Sequence, residues 1–363
     1  MAPVCAWRKD DRWYWGQTPS ARLNLSLAEL TDLPALMRAQ DASLAVGLLP
    51  YEAGLALHGL AAAAAPIEVL LFDKTESALN LPACDEDFFL SQAFRPCLER
   101  EAYNHAFQRI QAYLTAGDCY QVNFAQAFEA RFTGSAYAGW RRLMQQHSAP
   151  HACYFAGRDA TIMSASPERF LHIDQRQIVT DPIKGSRPRG ATTAEDDALA
   201  QALLHSSKDL AENLMIVDLL RNDLGAICEP GSVQADPLFE LQRFSNVQHL
   251  VSRVSGKLTD AVSPMTALLS CFPGGSITGA PKRRAMEIIR ELESLPRGAY
   301  CGSFFTLDNA GRLDANILIR TFQANTDGRL RIHGGGGITV ASDCAAEYAE
   351  SVFKVERLMQ ALG

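Results

Sequence analysis

The chain has 363 residues, of which 47% are hydrophobic and 21% are charged, and its formal net charge at pH 7 is −7. This composition is typical of a water-soluble globular protein, and the negative charge disfavours a nucleic-acid-binding surface. No stretch suits a membrane span, the opening residues MAPVCAWRKD lack the apolar centre of a signal peptide, and we therefore expect a cytoplasmic protein.

Four helices are predicted from apolar periodicity and from residues that cap helix ends. They cover 100–116, 193–224, a stretch that begins near Pro281, and a stretch from Asp343 to the end of the chain. Thr192 and Glu195 have capping-box spacing before the second helix, and Pro281 suits a first helical turn because its missing N–H needs no partner there. Residues 214–220 are apolar nearly all round, which predicts a buried helix.

Strand-like stretches lie between these helices, at 152–155, 161–164, 170–173, 252–258, 302–307, 315–322 and 330–332. Many strands and few helices, in no regular alternation, predict an α+β architecture rather than a doubly wound sheet. Residues 1–92 are richer in Ala and Leu and poorer in polar clusters than 93–363, so we expect the functional site in the second part.

The nine cysteines include no C-x-x-C pair, which disfavours a zinc knuckle or a dithiol redox site. The glycine run HGGGG at 333–337 is predicted to be a loop that brings backbone N–H groups close to an anion. A bulge or a tight turn is the alternative explanation for these glycines.

Carboxylates occur on two predicted helices. Glu212 lies at the start of the apolar part of the second helix, where a charge needs an ion-pair partner, a metal or a ligand. Glu347, Glu350 and Lys354 share one face of the last helix because their spacings are three and four. Three carboxylates without sulfur or imidazole suit Mg²⁺, whereas an internal salt-bridge network and an ordinary solvated face remain the simpler alternatives.

Further candidates are single residues in unusual surroundings. Arg320 lies in the apolar stretch NILIRTF, where an unpaired guanidinium would be costly, so it is predicted to bind a carboxylate. Glu168 and His249 are acid or base candidates, although each taken alone suits a structural role. Lys184 lies in the predicted loop TDPIKGSRPRG (180–190) and, on local evidence, is a solvated cation. Together the candidates indicate a magnesium enzyme for a small polycarboxylate.

Six stretches also resemble the chorismate-utilising enzymes: anthranilate synthase, isochorismate and salicylate synthases, and aminodeoxychorismate synthase component I. In order they are SASPERF (164–170), PIKGSRPRG (182–190), ENLMIVDLLRNDLG (212–225), GGSITGAPKRRAMEII (274–289), ILIRTF (317–322) and GGGGITVASDCAAEYAE (334–350). The resemblance runs from about residue 99 to the end. It implies two large twisted, mostly antiparallel sheets packed as a sandwich with surrounding helices, 1–92 forming a shortened N-terminal part of the fold and 93–363 the chorismate-binding region.

The lysine in PIKGS resembles the aminodeoxychorismate synthase branch, since anthranilate and isochorismate synthases usually carry Ala at that place. The resemblance implies that Lys184 attacks C2 of chorismate while Glu168 protonates the leaving C4 hydroxyl. Ammonia then adds at C4 and expels the lysine, giving 4-amino-4-deoxychorismate for 4-aminobenzoate and folate synthesis. His249 matches a family histidine near the ring, and Arg187, Arg189 or the metal are expected to lower the pKa of Lys184.

The resemblance also implies how substrate and metal are held. Mg²⁺ would be bound by Glu212, Glu347 and Glu350. The residues expected to bind the substrate are Arg320, Lys354, Gly185, Ser186, Gly335, Gly336 and Gly337. None of the cysteines lies in a G-x-C-x-G elbow, so ammonia is expected from a separate glutaminase subunit.

Three departures from the family pattern are present. Ser186 replaces the usual Thr, and Phe305 and Thr306 stand where relatives have Gly and a Tyr that lines the substrate site. The serine-containing signature of the family's tryptophan pocket is not found, which makes tryptophan binding doubtful. Two alternatives stay open: an anthranilate synthase component I that carries Lys184, and a non-catalytic relative that binds chorismate.

Overall fold

The computed structural model describes residues 2–61, 67–243 and 247–363. Its helices are α1 Leu27–Thr31, α2 Leu33–Ala39, α3 Tyr51–Leu57, α4 Arg100–Thr115, α5 Ala136–Gln146, α6 Thr193–Leu204, α7 Ser207–Gly225, α8 Pro264–Cys271, α9 Lys282–Leu292 and α10 Cys344–Leu362. The first, third and fourth predicted helices are confirmed as α4, α9 and α10. Pro281 is the N-cap of α9, and the Asp343 side chain caps α10 by accepting a hydrogen bond from the Ala346 N–H.

The strands form two large sheets and one small sheet. They are β1 Cys5–Lys9, β2 Arg12–Gly16, β3 Ala21–Leu25, β4 Leu44–Leu49, β5 Ile67–Phe72, β6 Glu76–Ala78, β7 Phe88–Pro96, β8 Gln121–Gly134, β9 Cys153–Ala156, β10 Ala160–Ser164, β11 Arg169–Asp174, β12 Gln177–Thr180, β13 Ile183–Pro188, β14 Gln234–Ala235, β15 Glu240–Arg243, β16 Val247–Val251, β17 Val254–Lys257, β18 Gly279–Ala280, β19 Ser303–Asp308, β20 Leu313–Asn316, β21 Thr321–Asn325 and β22 Arg329–Ile338.

The first sheet has ten strands in the order β18-β8-β22-β21-β10-β9-β1-β2-β6, with β7 also paired to β8. The second has nine, in the order β14-β17-β12-β11-β20-β19-β4-β5-β3, and the third is β13-β16-β15. Neighbouring strands within these sheets are antiparallel. Strands from the first 92 residues enter both large sheets, so this part of the chain is built into the same body.

The two large sheets pack face to face, which confirms the α+β sandwich. One apolar cluster contains Cys5, Trp7 and Phe155 of the first sheet together with Leu70 and Phe304 of the second. Side chains from the inner faces of two packed sheets form such a core. Among the described residues, no helix is both long enough and apolar enough to cross a membrane.

The predicted helix 193–224 is wrong as a single element because it breaks into α6 and α7. Ser206 leaves the helical region, with φ −73° and ψ 103°, and its side chain accepts a hydrogen bond from the Asp209 N–H to begin a new helix. The buried-all-round prediction is also wrong. Leu214 is 45% exposed, and only one face of α7, which includes Ile216 and Leu220, enters the core.

The predicted strand 315–322 is wrong because the chain changes sheets within it. Its first part is β20 of the second sheet and its last part is β21 of the first. Arg320 lies just before β21, with φ +53°, a backbone conformation that is uncommon for a residue with a Cβ. Arg320 therefore lies at a crossing between sheets and not inside a strand.

Two predicted loops are instead strands. The glycine run 333–337 is part of β22, which pairs with β8 from Arg329 to Ile338. Its glycines allow close packing, since a Cβ on Gly334 would lie 2.1 Å from the Ser351 carbonyl oxygen of α10. Lys184 lies in β13, in a strand whose register shifts between Ile183 and Ser186.

Candidate active site

Glu168 and Arg320 lie on two crossings between the large sheets. Glu168 joins β10 to β11, as the sequence predicted for a turn between strands, and Arg320 joins β20 to β21. The crossings are tied together, because the Ile317 N–H donates to the Glu168 carbonyl and the Ala165 N–H donates to the Arg320 carbonyl, at 3.1 and 3.0 Å. Residues 152 positions apart are thereby held side by side where the chain crosses between the sheets.

Ser276 connects Glu168 with Lys184. Its hydroxyl donates to Glu168 Oε1 at 2.9 Å, and its carbonyl oxygen accepts a hydrogen bond from Lys184 Nζ at 3.1 Å. Ser276 lies in a short 3-10 turn, Gly275–Ile277. The sequence analysis missed this residue, although a small polar residue directly after two glycines in GGSITG was a usable signal.

Burial changes the protonation of this pair in opposite directions. It raises the pKa of Glu168, which is 5% exposed, although the charges of Lys184 and Arg320 and the Ser276 hydrogen bond oppose the rise. Burial lowers the pKa of Lys184, and the Lys354 charge adds to this, whereas Glu168 and Glu212 oppose it. Both shifts favour the neutral forms, a protonated acid and an unprotonated amine.

The expected influence of Arg187 and Arg189 on Lys184 is wrong. Arg187 forms an ion pair with Asp209 at 2.9 Å, and Arg189 forms one with Asp196 at 2.7 Å. Because each arginine has its own carboxylate, the lowered pKa of Lys184 comes from burial and from Lys354.

His249 lies beside the lysine strand, on β16. Its Nδ1 is 2.7 Å from Ser186 Oγ, and the two residues are opposite each other in the β13–β16 pair. Burial and the Arg320 charge lower the pKa of His249 to about 4, against a hydrogen bond with the Gly185 backbone. His249 is therefore neutral near pH 7, which suits a hydrogen-bonding role.

Gly185 has φ +82°, and a Cβ there would lie 2.8 Å from Leu203 Cδ1 and 3.1 Å from Asp209 Cβ. A left-handed backbone with so little space requires glycine. Gly185 thus shapes the strand that presents Lys184 and Ser186.

Arg320 is held without a carboxylate partner of its own in residues 2–61, 67–243 and 247–363. Burial lowers the pKa of its guanidinium, and the nearby Glu168 charge opposes the change. Together with His249, it lines a small cavity that also includes His147 and Pro167. A half-buried guanidinium in this position is suited to bind an anion.

The glycine strand faces the carboxylates of α10. A Cβ on Gly336 would lie 3.0 Å from Glu347 Oε2, 3.5 Å from Glu350 Oε1 and 3.8 Å from Lys354 Nζ. The predicted shared face of Glu347, Glu350 and Lys354 therefore lies directly over this glycine.

Within the part of the chain that the structure describes, one edge of β22 has no strand partner at the glycines. β22 pairs with β21 only over Leu330–Ile332, because β21 begins at Thr321 after the crossing. Lys354 Nζ donates to the Gly335 carbonyl on this edge at 2.9 Å. Since N–H and C=O of one residue point to the same side of a strand, and alternate residues share that side, the N–H groups of Gly335 and Gly337 also face the open edge.

The three candidate metal ligands carry other contacts. Glu350 pairs with Lys354 at 2.7 Å, Glu347 accepts a hydrogen bond from Ser342 at 2.6 Å, and Glu212 lies 3.8 Å from Lys208. In the described part of the chain, no three His, Cys, Asp or Glu side chains are arranged to hold a metal ion. The Mg²⁺ site thus stays a prediction.

The donor chemistry nevertheless fits Mg²⁺. Burial raises the pKa of Glu212 and of Glu347, and in both cases the Glu350 charge adds to the rise. Burial would raise the pKa of Glu350 as well, but the charge and hydrogen bond of Lys354, together with the charges of Lys208 and Lys184, lower this pKa on balance. Like charges this close are relieved by a divalent cation with oxygen ligands.

The substituted pair in GSFFTLD lies in the core. Phe305 is fully buried on β19 opposite Gly47, and a Cβ on Gly47 would lie 2.2 Å from the Phe305 ring. Thr306 is 8% exposed. A glycine on the neighbouring strand therefore makes room for the aromatic ring that replaces the usual glycine.

Comparison with known proteins identifies the family. The profile of the chorismate binding enzymes matches residues 70–360, which is most of the chain. The chain belongs to this family. Aminodeoxychorismate synthase component 1 of Klebsiella aerogenes is 47% identical over 275 residues, which are 76% of this chain and 61% of that protein.

A second curated relative and a solved structure are also similar to this chain. Aminodeoxychorismate synthase component 1 of Salmonella typhimurium is 45% identical over 275 residues, 76% of this chain and 60% of that protein. The chain thus spans about three fifths of the length of these curated relatives. Among solved structures, anthranilate synthase component I from Streptococcus pneumoniae has a TM-score of 0.81 and 26% identity, covering 99% of this chain and 91% of the other.

Proposed function

We propose that the chain aminates chorismate with ammonia in a Mg²⁺-dependent reaction that gives 4-amino-4-deoxychorismate, as in 4-aminobenzoate and folate synthesis. The observation that carries this proposal is Lys184, whose Nζ lies 3.1 Å from the Ser276 carbonyl next to the acid Glu168. The 45–47% identity to relatives named aminodeoxychorismate synthase component 1 supports it.

In the first half of the reaction, Lys184 Nζ forms a bond to C2 of the ring. The two ring double bonds shift, the C4–O bond breaks, and the hydroxyl leaves as water after it takes a proton from Glu168. The nucleophile must be a neutral amine and the acid must hold a proton, and burial moves the pKa of each group in the required direction.

In the second half, ammonia forms a bond to C4, the double bonds shift back, and the C2–N bond to Lys184 breaks. The added ammonia gives up one proton, which returns to Glu168, so that the enzyme is restored. The net change is replacement of the C4 hydroxyl by an amino group with release of water.

The remaining residues hold the substrate. Arg320, Lys354 and the N–H groups of Gly335 and Gly337 would bind carboxylates, and neutral His249 would donate or accept a hydrogen bond near the ring. Mg²⁺ held by Glu212, Glu347 and Glu350 would neutralise the ring carboxylate and draw electron density as the hydroxyl leaves.

We also propose a separate glutaminase subunit as the source of ammonia. The name component 1 carried by the relatives fits an enzyme with a second component. All nine cysteines are free thiols, which suits a reducing compartment such as the cytoplasm.

The test is intact-protein mass spectrometry after incubation with chorismate and Mg²⁺ but without ammonia. We expect an adduct that peptide mapping places on Lys184 and that is absent in Lys184→Ala. Lys257→Ala is the matched control, because Lys257 is surface-exposed and pairs with Glu229 at 3.2 Å, and it should keep the adduct. An adduct on another residue, or one that persists in Lys184→Ala, would contradict the mechanism.

A second candidate is anthranilate synthase activity, favoured by the fold match to anthranilate synthase component I. Incubation with chorismate, Mg²⁺ and ammonium separates the two: 4-amino-4-deoxychorismate supports the proposal, and anthranilate with pyruvate supports the alternative. Binding of chorismate without turnover, even at high ammonium, would favour a non-catalytic relative.

A further inference from the structure

We infer that Ser276 is a positioning residue that fixes which oxygen of Glu168 carries the acidic proton and where the lone pair of Lys184 points. This inference rests on the proposed function, since it concerns the same acid and the same nucleophile. It starts from one buried residue that contacts both groups through different atoms.

The contact with Glu168 determines the donating oxygen. The Ser276 hydroxyl donates to Glu168 Oε1 at 2.9 Å, and Ser276 is 6% exposed. An oxygen that accepts this bond acts as the carbonyl oxygen of the protonated acid, so the proton lies on Oε2. Without the serine hydroxyl, the proton could occupy either oxygen and the carboxyl group could rotate.

The contact with Lys184 directs the lone pair. Lys184 Nζ donates to the Ser276 carbonyl at 3.1 Å. A neutral amine keeps two N–H donors, so this bond can survive loss of the proton, and the lone pair then points away from Ser276. One residue thus orients both groups: the Ser276 hydroxyl orients the acid, and the Ser276 carbonyl orients the nucleophile.

The turn that carries Ser276 is itself held by buried groups. The carbonyl oxygen of Ile277 accepts hydrogen bonds from Asn123 Nδ2 at 2.9 Å and Arg297 Nη1 at 3.0 Å. Arg297 is 2% exposed and is anchored by two hydrogen bonds to Glu293, at 2.8 and 2.7 Å. A turn bound this way presents Ser276 in one orientation, as a precise site requires.

Three variants in the full chain test the inference. Ser276→Ala removes the hydroxyl and Ser276→Thr keeps it. Thr278→Val removes the hydroxyl of the residue that ends the same turn, which donates to the backbone carbonyls of Gly274 and Gly275. We expect Ser276→Ala to lower kcat by roughly 10- to 100-fold, to slow adduct formation equally, and to leave KM for chorismate within about threefold. Ser276→Thr should recover most of kcat, and Thr278→Val should resemble the wild type.

The outcomes are distinct. A Ser276→Ala variant with wild-type kcat would overturn the positioning role while leaving the proposed function intact. A loss of kcat shared by Thr278→Val, together with a lowered melting temperature, would also overturn it, because the effect would then come from the turn. A wild-type protein that forms neither adduct nor product would overturn the proposed function and this inference together.

Discussion

Two glycines of β22 should respond to the same substitution in opposite ways. Gly334 and Gly336 lie two residues apart and hence on the same face of the strand, both towards α10. Neither has a positive φ, so Gly→Ala alone should stabilise each position by about 0.4–1 kcal/mol through the unfolded state. What differs is the atom that the new Cβ meets.

At Gly334 the Cβ would lie 2.1 Å from the Ser351 carbonyl oxygen and 3.3 Å from Val355 Cγ1. The first contact is with helix backbone, so it can be relieved only if α10 moves by about 1 Å. Overpacking of this kind costs about 1–3 kcal/mol. At Gly336 the nearest atoms are the ends of flexible side chains, first Glu347 Oε2 at 3.0 Å. Gly334→Ala should therefore lower the free energy of unfolding by roughly 1–2 kcal/mol, whereas Gly336→Ala should leave it unchanged or slightly higher.

Function should show the reverse order. Gly336→Ala places a methyl group against Glu347 and Glu350. We therefore expect Mg²⁺ to bind more weakly, so that activity needs a higher Mg²⁺ concentration, and we expect a higher KM for chorismate. Urea denaturation followed by circular dichroism gives the stabilities, and steady-state kinetics at varied Mg²⁺ gives the second comparison. If Gly334→Ala is as stable as the wild type, or if Gly336→Ala is the less stable of the two, the close approach of α10 to the glycine strand is wrong.

Three further predictions concern other residues of the chain. Lys282→Met should lower the free energy of unfolding, measured by urea denaturation, by about 3–5 kcal/mol. It leaves the mostly buried Asp223 without its partner, since Lys282 Nζ lies 2.7 Å from that carboxylate. Adding Asp223→Leu should recover most of the loss, and a double variant that is equally unstable would contradict this prediction. Burial lowers the pKa of His249 to about 4, so between pH 6.5 and 4 this histidine is protonated in the unfolded chain but not in the folded one. The free energy of unfolding should therefore fall by up to roughly 3 kcal/mol as the pH is lowered through this range. His249→Gln should flatten this part of the plot of stability against pH, and an unchanged plot would count against the prediction. Arg320→Lys should raise KM for chorismate about tenfold by removing the planar fork, and an unaltered KM would exclude Arg320 as a carboxylate ligand.

The sequence predicts those features that are local. The capping side chain of Asp343, the helix after Pro281 and the turn at Glu168 depend on a few neighbouring residues, and each lies where expected. The prediction of a single helix over 193–224 was wrong, and the reason is local as well. Ser206 and Asp209 carry a capping signal of their own, which the long apolar periodicity concealed.

Features that depend on strand pairing were not predictable in this way. The stretch that contains Arg320 reads as one apolar strand, and only the pairing of its two ends with different sheets reveals the crossing. The glycine run reads as a loop because glycine weakens strands. In the structure, the run is a strand because β8 pairs with it on one edge and α10 approaches its face.

The surroundings of Lys184 show why local charge is a poor guide to this site. The two arginines nearest in sequence are neutralised by Asp209 and Asp196, whereas the groups that act on the lysine, Glu168 and Lys354, come from distant segments. Burial of an ammonium group opposes folding unless its charge is compensated or lost, and here burial lowers its pKa. A lysine at this position therefore weakens the folded state and favours a neutral amine, which is the form that the proposed nucleophile needs.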